Sequence, residues 1–137
     1  MLETQQSSDV TYRVYDFDRK QPDGSLRELH IAQATDVVDY SVKAPESGEV
    51  TEPEVGGVTH LVSTPDYAVD RICVTEDAPV TVAQKWSFLN VSVVRGSGSV
   101  TVDGVAHDLP KGTHFIAPAG SGSLAFEGNM VLIVSHV

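Results

Sequence analysis

The chain is poor in basic residues: nine Lys and Arg stand against nineteen Asp and Glu, a formal net charge of −10 over 137 residues. That balance argues against a nucleic-acid binder, which normally carries a basic surface. It argues equally against docking on an anionic membrane. A small phosphorylated ligand remains open, because it needs only local cations. Cysteine is almost absent. The single Cys73 excludes an internal disulfide, and no cysteine pair suggests zinc. Within "DRICV" it reads as a small core residue. Long apolar runs are missing, so no bilayer-spanning helix is expected. The start, "MLETQQSSD", has neither the basic nor the apolar stretch of a signal peptide, and a cytoplasmic location follows as the expectation.

What is present is enough for one domain with a core, with hydrophobic residues at 41%. Residues 1–43 read as a strand, a turn and a helix. "VTYRVYDF" has high β propensity and alternates Val10, Tyr12 and Val14 with Thr11, Arg13 and Tyr15. "QPDGS" is a turn by composition. Ser25 and Glu28, three apart, fit a capping box that would open a short helix through "LHIAQATDVVDY". Residues 44–57 are rich in Pro, Gly and Glu without apolar periodicity and read as an exposed loop.

From residue 58 onward the pattern is short strands and turns: "THLVST", "YAVDRICV", "PVTV", "SFLNVSVV", "SVTV", "THFIAP", "SLAF" and "MVLIVSHV". Such spacing predicts an all-β sandwich or barrel. Asp103-Gly104 between alternating apolar residues marks a two-residue hairpin turn. The expected core is Leu61, Val69, Ile72, Val74, Phe88, Val91, Val93, Val102, Phe115, Leu124, Phe126, Leu132 and Val134.

Four of the nine cations, Arg13, Arg19, Lys20 and Arg27, fall within fifteen residues. For Arg19 and Lys20 a solvated turn is the ordinary reading. Arg13 sits among β-branched and aromatic residues and is either a surface strand residue or a cation delivered to an anionic ligand. The five histidines, His30, His60, His107, His114 and His136, show no H-x-H or H-x3-H spacing, so satisfied or exposed side chains are the expectation. Ser7 and Ser8 have no histidine near them in sequence to act as a base.

"RGSGSVTVDG" and "LPKG" resemble the strand-turn-strand and the later turn of a cupin, a small jelly-roll antiparallel barrel. The fold class expected is therefore mainly β, a cupin-type jelly-roll barrel with a short helical segment in the N-terminal third. Many cupins hold a metal on histidines and a glutamate, but "AQKWSFLNVSVVR" offers neither residue. Phe115 takes the place of the later histidine, and its neighbour His114 would face the other side of the strand. The 58–137 barrel is thus expected to be metal-free.

A longer resemblance joins "QQSSD", "TYRVYDFDR" and "RELHI" in order and continues through "VTHLVSTPDYAV" and "LPKGTHFIAPAG". This resembles the C-terminal portion of bacterial type I mannose-6-phosphate isomerases, beginning inside the family's first cupin. The resemblance implies an isomerase that moves a proton between C1 and C2 of mannose 6-phosphate and fructose 6-phosphate through an enediol-like intermediate. It implies a zinc in the full-length enzyme on ligands upstream of this chain, with no cofactor bound by the chain itself. It also carries over two site residues. Arg13 would supply a permanent charge and a donor fork to phosphate or to a developing oxyanion. Asp9, four residues earlier, would orient Arg13, take part in proton handling, or serve as a turn or cap residue. His30, in "RELH", is expected to be structural. The other reading is a non-catalytic cupin-type module for assembly or sugar-phosphate binding, favoured if Met1 is the native start rather than a truncation. The partner expected is a sugar phosphate, with no nucleic acid or membrane. A homo-oligomer could form through unpaired strand edges.

Overall fold

A computed structural model describes residues 2–5, 10–41, 50–51 and 53–137. The chain divides into two compact units, one of Met1–Thr4 with Val50–Val137, the other of Gln5–Glu49.

In the smaller unit the expected strand "VTYRVYDF" joins no ladder among the described residues, and Val10, Tyr12, Val14, Tyr15 and Phe17 are exposed. β propensity reflects packing on a pleated surface, and no strand among the described residues of this unit supplies one. The backbone is held instead at Arg13, whose N–H donates to His30 Nδ1 at 3.1 Å while its carbonyl accepts from the His30 N–H at 2.7 Å. "QPDGS" does turn, closing an isolated bridge between Lys20 and Leu26. The capping box does not form. Asp23 Oδ1 takes both the N–H and the hydroxyl of Ser25, at 2.9 and 2.6 Å. The helix α1 spans only Ile31–Val37, with His30 at its N-cap and no side-chain cap.

The larger unit is antiparallel β throughout. Its strands are β1 (Gly57–Ser63), β2 (Ala68–Val74), β3 (Val80–Ala83), β4 (Phe88–Val102), β5 (Val105–Pro110), β6 (His114–Pro118) and β7 (Ser123–His136). The main order is β1-β2-β7-β4-β5, with β3 on β7 and β6 on β4. β4 and β7 are long because the expected pairs "SFLNVSVV"/"SVTV" and "SLAF"/"MVLIVSHV" are continuous strands. Each runs through a glycine-containing stretch that reads locally as a loop. Gly98 lies opposite Gly128, and a Cβ on Gly128 would come within 2.6 Å of Gly98 Cα. The two strands therefore pack so closely that a side chain would clash. The Asp103-Gly104 hairpin is present, with φ values of 50° and 79° and Val102 paired to Val105.

The core gathers Ile72, Val74, Leu89, Val91, Val93, Leu124, Phe126, Leu132 and Val134, with Val100, Leu109 and Met130. Of the expected core, Leu61, Phe88, Val102 and Phe115 are only partly buried. In β4 the register shifts between Val93 and Arg95. Before the shift the odd residues Leu89, Val91 and Val93 face inward; after it the even Val100 does. One extra residue reverses which face each later side chain takes, and a single reading of the pattern cannot hold on both sides of it.

Candidate functional site

In the smaller unit the chain from Arg13 to Arg27 doubles back on itself and collects three guanidinium groups around one carboxylate. Arg27 Nε donates to Asp16 Oδ2 at 2.7 Å, and its Nη2 pairs with Oδ1. Arg19 Nη2 reaches Asp16 Oδ1 at 3.2 Å. Arg13 Nε lies 4.0 Å from the same oxygen. The hydrogen bond from Arg27, aided by the charges of Arg27 and Arg13, holds the Asp16 carboxyl below its ordinary range against the opposing effect of desolvation. The same pairing raises Arg27 further. Three permanent cations thus share one carboxylate, within a stretch, residues 13–28, that carries four basic and four acidic side chains in a chain that is strongly acidic overall.

Arg13 is fixed rather than free-swinging. Its Nη1 donates to the Glu28 carbonyl at 3.1 Å, its backbone is tied to His30 on both sides, and its side chain keeps 23% exposure. A guanidinium has five donors, so one bond to a carbonyl leaves others to present to an anion. His30 Nδ1 accepts from the Arg13 N–H and so carries its proton on Nε2; the ring of Tyr12 meets it edge-on, with centroids 6.3 Å apart. Asp9, the other site residue expected, lies outside the described residues. Arg19, two-thirds exposed beside the turn, is solvated as expected and also pairs with Asp16. Asp16 is the residue that sequence reasoning passed over, and Arg27, counted among the clustered cations, carries no role in that reading. The signal was there in the crowding of cations between 13 and 27, but which acid they enclose depends on the turn at Phe17 and Asp18, both at positive φ.

The larger unit holds a second polar cluster. His60 on β1 lies opposite Asp70 on β2, and its Nδ1 meets Asp70 Oδ1 at 2.8 Å. A register shift between His60 and Val62 brings Ser63 onto the same face, with its hydroxyl 3.1 Å from His60 Nε2. His136 on β7 approaches Asp70 Oδ2 at 3.5 Å and stacks on Trp86 at 3.9 Å. His114 pairs with Ser92 at 2.8 Å. Among the described residues, no three or more His, Cys, Asp or Glu side chains form a group that could hold a metal ion. Among them too, no helix is long and apolar enough to cross a membrane.

Residues 57–137 match the family described as mannose-6-phosphate isomerase, cupin domain. The chain belongs to that family. Over 136 residues it is 40% identical to the mannose-6-phosphate isomerase of Streptococcus mutans, a match covering 99% of this chain and 42% of that enzyme. The mannose-6-phosphate isomerase ManA of Bacillus subtilis is 35% identical, over 99% of this chain and 43% of that enzyme. The chain thus spans about two-fifths of the length of these relatives, in their C-terminal part. Among solved structures, the mannose 6-phosphate isomerase from Bacillus subtilis superposes with a TM-score of 0.76 at 37% identity, over 95% of this chain and 41% of that one. An RmlC-like cupin from Methanocaldococcus jannaschii has a TM-score of 0.56 at 16% identity, covering 65% of this chain and 85% of that one, a likeness of fold alone. Membership of this cupin family agrees with the mainly β, cupin-type fold expected from "RGSGSVTVDG" and "LPKG".

Proposed function

We propose that this chain forms one side of the active site of a cytoplasmic aldose–ketose isomerase that interconverts mannose 6-phosphate and fructose 6-phosphate. The observation that carries the reading is the extent of the similarity. It covers 99% of the chain, and so takes in the arginine cluster of residues 13–27 as well as the closing cupin. In this reading Arg13 is the catalytic and substrate-binding cation. Its guanidinium makes charge-assisted bonds to the phosphate, or to the oxygen that gains charge as the enediol forms. Arg27 and Arg19 share Asp16 and keep that acid from capturing Arg13 outright, which leaves Arg13 donors for the substrate. Asp9 orients Arg13 or handles the proton moved between C1 and C2. The described residues do not fit the zinc that the resemblance implies for the full-length enzyme, and none of these roles runs through a metal.

The test is direct. The complete protein encoded by the gene that carries this chain is assayed for interconversion of the two hexose phosphates. Turnover is expected. Its absence in a folded protein would overturn the reading in favour of a non-catalytic cupin module.

A further inference from the structure

We propose that the cavity in the larger unit beside Trp86 binds an unphosphorylated sugar. This goes beyond the isomerase reading, because the residues belong to the closing β unit and the binding requires no turnover. The cavity has a volume of about 260 Å³, and Asp70, Thr81, Lys85 and Trp86 line it together with Ile72 and Leu89. That volume lies below the roughly 300 Å³ lower end for drug-sized ligands, which suits a single small ring.

The lining matches the two kinds of surface that a sugar ring presents. Val58, Val82 and the Trp86 indole keep apolar surface open to the cavity, above a buried floor of Ile72 and Leu89, and they suit ring C–H groups. The carboxylate of Asp70 and the ammonium of Lys85 belong to residues that line the same space, one accepting and one donating to sugar hydroxyl groups.

Asp70 and Trp86 are held in advance. Asp70 is clamped by His60 on Oδ1 and by His136 on Oδ2, and a carboxylate with two oxygens can still accept further bonds. The backbone N–H of Trp86 donates to Gln84 Oε1 at 3.0 Å, while Gln84 Nε2 donates to the Ala117 carbonyl at 2.8 Å. The Trp86 ring stacks on His136, and Lys85 Nζ lies 5.0 Å from its centroid. Side chains fixed before binding lose little freedom on it. Among the lining residues Lys85 is the one lysine or arginine, and Asp70 faces the same space. A phosphate there would meet a carboxylate with a single compensating cation, so the chemistry favours a neutral ligand.

Trp86 is the only tryptophan in the chain, so its emission reports occupancy without a label. The full chain is titrated with a free aldohexose, a free ketohexose, mannose 6-phosphate, and glycerol as a control. A saturable change with at least one free hexose is expected, with a dissociation constant on the order of 1 mM. Asp70→Asn and Lys85→Met should each weaken binding by about tenfold, and the phosphorylated sugar should bind no tighter than the free one. Lys85 is exposed, so its variant carries the test if Asp70→Asn does not fold. No saturable change with either free hexose, unaltered curves in a folded variant, or tighter binding of the phosphorylated sugar would each overturn the proposal. Isomerase turnover plays no part in this measurement, so the two readings fail separately.

Discussion

Replacing Arg13 separates a working cation from a structural strut. In the folded chain its side chain makes one hydrogen bond, to the Glu28 carbonyl at 3.1 Å, and a long ion pair to Asp16 at 4.0 Å. Asp16 keeps Arg27 and Arg19 after the substitution, so no carboxylate is stranded. Arg13→Ala should therefore lower stability by only about 1 kcal/mol, the scale of a partly exposed pair and one bond. Its backbone bonds to His30 remain, since they do not involve the side chain. A bond from the guanidinium to phosphate or to the developing oxyanion is worth about 1.5–3 kcal/mol. Losing it in the transition state should slow turnover by roughly 10- to 150-fold. Arg13→Lys should recover stability but little of the rate, because the charge stays while the fork is lost. The assay is isomerase kinetics of the complete enzyme and both variants, with thermal unfolding measured in parallel. Wild-type kinetics together with a lowered Tm would refute the reasoning and leave Arg13 as a strut between the two arms of the smaller unit.

Three further outcomes are expected. Gly98→Ala should destabilise by about 2 kcal/mol or more, because its Cβ would be driven into the Glu127 carbonyl oxygen and the Met130 side chain. Gly104→Ala, at φ 79° with open space around it, should cost only about 1–2 kcal/mol; equal losses in chemical denaturation would contradict the close packing of β4 on β7. Phe126→Ala, at 0% exposure, should cost about 3–5 kcal/mol, and a change under about 1 kcal/mol in the same assay would remove Phe126 from the centre of the core. The Asp16 carboxyl, followed by NMR, should titrate below its ordinary value of 3.8. Arg27→Gln should move it upward, since the Arg27 hydrogen bond is the largest cause of the lowering. A carboxyl depressed by folding contributes stability that is complete above its unfolded pKa and lost as pH falls through the folded one. The smaller unit should therefore weaken only as the pH drops below about 4, and an Asp16 midpoint at or above 3.8 in the wild type would count against the cluster.

The strand pattern after residue 58 was readable because alternation is a local property. Ile72, Val74, Leu124, Phe126, Leu132 and Val134 were placed in the core from their spacing alone, and Asp103-Gly104 announced its own turn. The resemblance carried by "TYRVYDFDR" and "LPKGTHFIAPAG" likewise lay in residue order. Other features depended on partners distant in the chain. "RGSG" reads as a loop until β7 lies against it, where small residues let two backbones approach. The reversal of facing within β4 follows from one extra residue at Val94, which is counted only against a neighbouring strand. "VTYRVYDF" has the composition of a strand, but a strand exists only where another supplies hydrogen bonds. Ser25 had the spacing of a helix cap and went to Asp23 instead, two residues away and already in reach. The gathering of Arg13, Arg19 and Arg27 on Asp16, and of His60 and His136 on Asp70, was decided by turn geometry and by strand register. Sequence composition states how many charges there are, and only the folded backbone determines which of them meet.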